Sequence, residues 1–186
     1  GSEMCIRDRY VGESDPRSDL ARDLLMEWLS GELCSSTDER ARVARISSLV
    51  LAGDCVQQAA WKQVSETKSM ESNPFAFLDP YIDQLCETLD AVVVMPGMHD
   101  PCTVTLPQQP LLRTLLPRAS QRTSLHLGTN PTWFSLNGRA ILATSGQNLD
   151  DLLKYMPDDA KRDSSAALDM ACLLYTSPSP RDLSTS

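Results

Sequence analysis

The chain has 186 residues, 41% of them hydrophobic and 23% charged, a balance that suits a folded domain and excludes a wholly disordered segment. Its formal net charge of -8 presents any acidic polymer with an unfavourable mean field, so nucleic acid would need a local basic patch. No apolar run reaches the roughly 20 residues that cross a bilayer, and the N-terminus carries no apolar signal region.

The six cysteines (5, 34, 55, 86, 102 and 172) include no C-x-x-C pair and have no histidine at zinc spacing. They read as small core residues in a reducing compartment. Met4 to Tyr10 and Leu174 to Ser186 do not continue the patterns beside them and read as adapter-derived or disordered ends. The expected organisation is therefore residues 1–13 and 173–186 outside the fold and a partial domain over 14–172. The true protein is expected to extend beyond both ends.

From Ser18 to Leu33 the residues Leu20, Leu24, Leu25 and Trp28 fall on one stripe, opposite Arg22, Asp23 and Glu27, which predicts an amphipathic helix stopped by Gly31. Arg40, Arg42 and Arg45 follow Asp38 and Glu39 and read as a solvated mixed-charge segment. Val43 to Leu51 is a branched apolar run entering Ala52-Gly-Asp54, a buried strand ending in a tight turn. Gln57 to Lys68 suits a helix. Phe75 to Leu89 predicts another, with Asp79-Pro80 as N-cap and first-turn proline and with Tyr81, Ile82, Leu85 and Leu89 facing inward.

Ala91 to Met95 then reads as a strand, and the order strand, helix, strand predicts a parallel pair with a crossover. Prolines 107, 110 and 117 predict an irregular connection, with one helical turn near Leu111 to Leu116 and a looser basic stretch of Arg113, Arg118 and Arg122. A short strand over Leu125 to Gly128 precedes a hairpin of Trp133 to Leu136 and Arg139 to Thr144, turned by Asn137-Gly138. Asn148 to Tyr155 closes the pattern as a helix whose Leu149, Leu152 and Leu153 face inward.

Two turns carry candidate chemistry. A two-metal phosphoesterase needs carboxylate, amide and imidazole donors converging from the ends of neighbouring strands. Gly53-Asp54 after one strand and Gly97-Met98-His99-Asp100 after the next stand at such ends, with glycines that permit sharp turns. Asp54 is placed to bridge metals, and His99 with Asp100 to act as an acid/base pair. Met98, however, offers a thioether, a poor partner for hard cations. His126, the other histidine, reads as a half-buried strand residue. Ser145-Gly146-Gln147-Asn148 reads as a capping turn for the last helix or as a phosphate cradle. Trp61, Trp133 and Phe134 are candidate core or interface anchors.

Val92 to Pro110, with Leu106-Pro-Gln-Gln-Pro110, and Thr129 to Tyr155, with Thr129-Asn-Pro131, Thr144-Ser-Gly-Gln-Asn148, Asp151 and Tyr155, resemble the B-type small subunits of the replicative DNA polymerases, in particular the delta branch. Weaker similarity runs back through Ile46 to Asp54 and the helix of Trp28. The resemblance implies an α/β fold, a fragment of a calcineurin-like phosphoesterase sandwich in which helices flank mixed sheets, normally accompanied by an oligonucleotide-binding barrel. It also implies that Asp54 matches the bridging aspartate, that Met98 replaces an asparagine, that His99 and Asp100 match the following pair, and that Ser145 replaces a later histidine.

The site so implied is degenerate, with no catalytic residue, no metal and no cofactor. The resemblance further implies a nuclear, non-catalytic scaffold that joins the catalytic subunit of DNA polymerase delta to its other small subunits in replication and repair synthesis, touching DNA only through the complex and no membrane. The alternative is an active metal-dependent phosphoesterase or 3′-5′ exonuclease.

Overall fold

The computed structural model of the chain describes residues 2–6, 16–56, 74–136 and 138–155, with side chains from residue 20 onward in those ranges. The helix expected over 57–68, Trp61 and the C-terminal end lie outside them. The chain divides into two compact units, Gly1–Ser145 and Gly146–Ser186.

The first unit is built on a four-stranded sheet of β1 (Ser2–Ile6), β2 (Ile46–Ala52), β3 (Ala91–Met95) and β4 (Leu125–Leu127), paired in that order and parallel throughout. Parallel neighbours need long crossovers, and the helix between β2 and β3 supplies one. The pairing Leu49↔Val92↔Leu125 and Leu51↔Val94↔Leu127 puts six apolar side chains on one face. Helices α1 (Pro16–Leu29) and α3 (Phe75–Thr88) join that core through Leu25, Met26 and Leu29 and through Leu78, Ile82 and Leu85. Each aliphatic side chain removed fully from water there contributes about 1.5–3 kcal/mol. Across the other face, beside Ala91 and Val93, a groove of about 370 Å³ runs to the antiparallel hairpin of β5 (Thr132–Leu136) and β6 (Arg139–Ala143). The second unit contributes helix α4 (Gln147–Tyr155).

The architecture is thus mixed α/β, with parallel and antiparallel sheets and helices. Ser2–Ile6, set apart from the fold on sequence grounds, lies at the edge of the parallel sheet.

Several local expectations change. Helix α1 is rotated from the predicted stripe: Leu20 and Leu24 are exposed, while Leu25, Met26 and Leu29 are buried and Arg22 lies over the Tyr81 ring. It ends at Leu29, and Gly31 turns the chain at φ 82°. The charged stretch holds a helix of its own, α2 (Thr37–Val43), so Val43 ends a helix rather than starting a strand. Ser36 caps it by accepting from the Glu39 amide at 3.1 Å, and acids in its first turn and arginines in its last suit the helix dipole.

Asp79-Pro80 does not open α3. That helix begins after Pro74, which leaves Pro80 inside it and frees the Asp79 carboxylate for a tertiary role. The turn expected near Leu111 is a 3-10 turn over Arg113–Leu115, followed by a second over Ala119–Gln121. His126 is exposed rather than half-buried, and Trp133 is 63% exposed. Ser145 bonds to Asn130 on a neighbouring loop, and the first turn of α4 closes on the Gly146 carbonyl.

Candidate functional site

The C-terminal ends of β2 and β3 lie side by side, because Ala52 pairs with Met95. The chain leaving β2 turns at once through two left-handed residues, Gly53 at φ 93° and Asp54 at φ 51°. Glycine adopts that conformation freely and aspartate tolerates it. A Cβ on Gly53 would stand 2.7 Å from Ser145 Cβ and 2.8 Å from Gly97 Cα, while one on Gly97 would land on the Asp54 amide and carboxylate. Both glycines are therefore required by contact between the two turns.

This approach lets the carboxylates hold backbone amides across the turns. Buried Asp54 accepts from the His99 N–H at 2.8 Å through Oδ1, and the His99 Nδ1 lies 3.3 Å from the same oxygen. Asp100 is engaged by more amides. Its Oδ2 accepts from Gly97 N at 2.8 Å and Cys55 N at 3.4 Å, and its Oδ1 accepts from Val56 N at 3.0 Å. Burial pushes the Asp100 carboxyl up to about 6 against the pull of those three amides, and the Asp54 charge adds to the rise. Burial followed by the charges of Asp100 and Asp54 also drives the Cys55 thiol well above its ordinary range, so Cys55 is a packing residue with no thiolate character.

A second layer comes from loops that sequence patterning leaves irregular. Gln108 and Asn130, both fully buried, form an isolated antiparallel bridge through their backbones at 2.8 and 3.1 Å. Asn130 Nδ2 donates to Gln108 Oε1 at 2.6 Å and to Ser145 Oγ at 2.7 Å, and its Oδ1 accepts from Ser145 N at 3.1 Å. Gln108 Nε2 donates to Gly97 O at 3.0 Å and Thr103 O at 2.9 Å. The structure therefore gathers Asp54, His99, Asp100 and Ser145 around the Gly53–Gly97 contact. Met98 lies on the same turn and is 37% exposed.

Patterning alone does not mark Gln108 and Asn130 as site residues, yet each sits inside one of the proline-bearing motifs that carry the family resemblance. That placement is the available signal. Among the described residues no group of three or more His, Cys, Asp or Glu side chains is placed to hold a metal ion.

Residues 10–177 match the family described as the B subunit of DNA polymerase alpha/epsilon. The chain belongs to that family. Among its relatives, the DNA polymerase delta small subunit of Arabidopsis thaliana is 33% identical over 167 residues, covering 87% of this chain and 36% of the relative. The protein of the same name from Saccharomyces cerevisiae is 29% identical over 163 residues, covering 84% of this chain and 32% of the relative. A more distant relative, the DNA polymerase II small subunit of Pyrococcus abyssi, is 22% identical over 156 residues, covering 83% and 25%. The chain thus spans about a third of the length of the delta small subunits it matches. The matched region takes in β2, β3, both site turns and the loops of Gln108 and Asn130.

Proposed function

We propose that this chain is part of a non-catalytic accessory subunit of a DNA polymerase delta complex, working in the nucleus in replication and repair synthesis. Its framework is a calcineurin-like phosphoesterase fold whose metal site has become structural. In this reading the protein joins the catalytic chain to the other small subunits by the shape of its surface, and meets DNA only through the assembly. The family membership and the delta small subunits among the relatives support the assignment.

The observation that carries the non-catalytic part is the donor set. A pair of cations needs several oxygen and nitrogen donors converging with free lone pairs. Here both Asp100 oxygens accept backbone amides and Asp54 Oδ1 accepts from His99. Asn130 and Ser145 are committed to each other, and Met98 brings sulfur to the position where the family resemblance expects an amide. On this reading these residues suit a structural use better than a binuclear centre.

Co-purification tests the assembly role. Full-length protein is expected to associate stoichiometrically with the catalytic subunit and to retain that association when Asp54→Asn is introduced. Failure of the wild-type protein to associate would overturn the reading.

A further inference from the structure

The 25 acidic residues all lie outside the stretch between Asp100 and Asp150, which contains no Asp or Glu and four arginines at 113, 118, 122 and 139. Three of these arginines sit on or beside the paired 3-10 turns, and α3 holds that segment with a row of carboxylates at every fourth position. Buried Asp79 accepts from Arg118 N at 3.0 Å and from Ala119 N at 2.9 Å. One turn on, Asp83 takes Arg122 Nε at 2.6 Å and Nη2 at 3.2 Å, and one turn beyond that Glu87 takes Arg122 Nη2. Arg113 Nη1 donates to Ser120 O at 3.2 Å, and Ser120 Oγ donates back to Arg113 O at 3.1 Å. Leu111, Leu116 and Ala119 anchor the segment from beneath in the core.

The outcome is an irregular segment tied to α3 and to the core, with two exposed cations. Arg122 is neutralised by its two acids. Arg113 and Arg118 are exposed, and so is Leu112, 65% accessible beside Arg113. Arg118 also lines an open hollow of about 360 Å³ with Asp83, Gln121 and Arg122. Preorganised exposed cations beside an exposed leucine match an acidic segment with an apolar residue, because little ordering cost remains to be met on this side. Asp83 and Glu87 beside the hollow, and the net charge of -8, oppose a polyanion such as DNA far more than they oppose isolated carboxylates.

We propose that Leu112, Arg113 and Arg118 form a docking surface for an acidic, leucine-covering segment of a partner protein within the polymerase assembly. This inference rests on the accessory-subunit reading above.

The test uses full-length protein reconstituted with the catalytic and other small subunits. The double variant Arg113→Glu/Arg118→Glu is expected to weaken assembly about tenfold at moderate salt and to flatten its salt dependence, while Arg45→Glu, on a separate exposed arginine, leaves assembly unchanged. A photoreactive residue replacing Leu112 is expected to cross-link to an acid-rich peptide of one partner subunit. Unchanged assembly of the double variant, or cross-linking only to acid-poor peptides, overturns the docking surface while leaving the accessory reading intact. Loss of primer-template DNA binding with unchanged assembly assigns the surface to nucleic acid and overturns it equally. Failure of the wild-type protein to assemble overturns both.

Discussion

Asn130 has no exposed surface, and its amide satisfies Gln108 Oε1, Ser145 Oγ and the Ser145 N–H at once. Removing it strands buried polar groups, each costing about 1–3 kcal/mol. Chemical denaturation of Asn130→Ala is therefore expected to read a loss of about 3 kcal/mol, against less than about 1 kcal/mol for Met98→Ala at its partly exposed position. Equal losses would contradict the network. Asp100 gives a second prediction. Its carboxyl rises from 3.8 to about 6 in the fold, so the native state binds that proton more tightly than the unfolded chain does. The stability it contributes, about 3 kcal/mol, is complete below about pH 4 and is lost as pH rises through about 6. Carbon NMR of the Asp100 carboxyl should titrate near 6, and a midpoint at or below 4 would refute the burial argument. At this scale Asp54, His99 and Asp100 were legible because glycines mark their turns. Gln108 and Asn130 were not, since polar residues in proline-rich loops read as solvated until a partner 22 positions away buries them.

Among the elements, α3 does two jobs. Its apolar face fills the core, and its row of Asp79, Asp83 and Glu87 fixes the connection that leads into β4. The Arg122 guanidinium hydrogen-bonded to Asp83 holds that carboxyl below its ordinary range. Asp79→Ala removes the acceptor for two loop amides, one of them buried, and is expected to cost about 2–4 kcal/mol. Hydrogen exchange at Arg118 and Ala119 is expected to accelerate at least tenfold while α2 amides stay unchanged; protection that persists would show that the loop is held by packing alone. The crossover of β2, α3 and β3 was readable from periodicity, and β3 runs over the five residues expected. Asp79-Pro80 misled because the pair carries the chemistry of a helix start, whereas the tertiary use of Asp79 five residues into the helix is invisible locally. Helix α2 was missed because its Ser36-x-x-Glu39 cap lies within a charge run and only Val43 of its seven residues is buried.

For the molecule as a whole, the parallel sheet supplies two adjacent strand ends, the turns there interlock through Gly53 and Gly97, and the carboxylates tie the turns together by accepting backbone amides. On the proposed reading such a site supports shape rather than turnover, in a chain that belongs to the family of polymerase B subunits. Hydrolysis of a labelled primer terminus by the full-length protein in manganese tests this most directly. The expected rate is no higher than that of the protein-free control, with Asp54→Ala indistinguishable from wild type; manganese-dependent cleavage abolished by Asp54→Ala would show a working metal site instead.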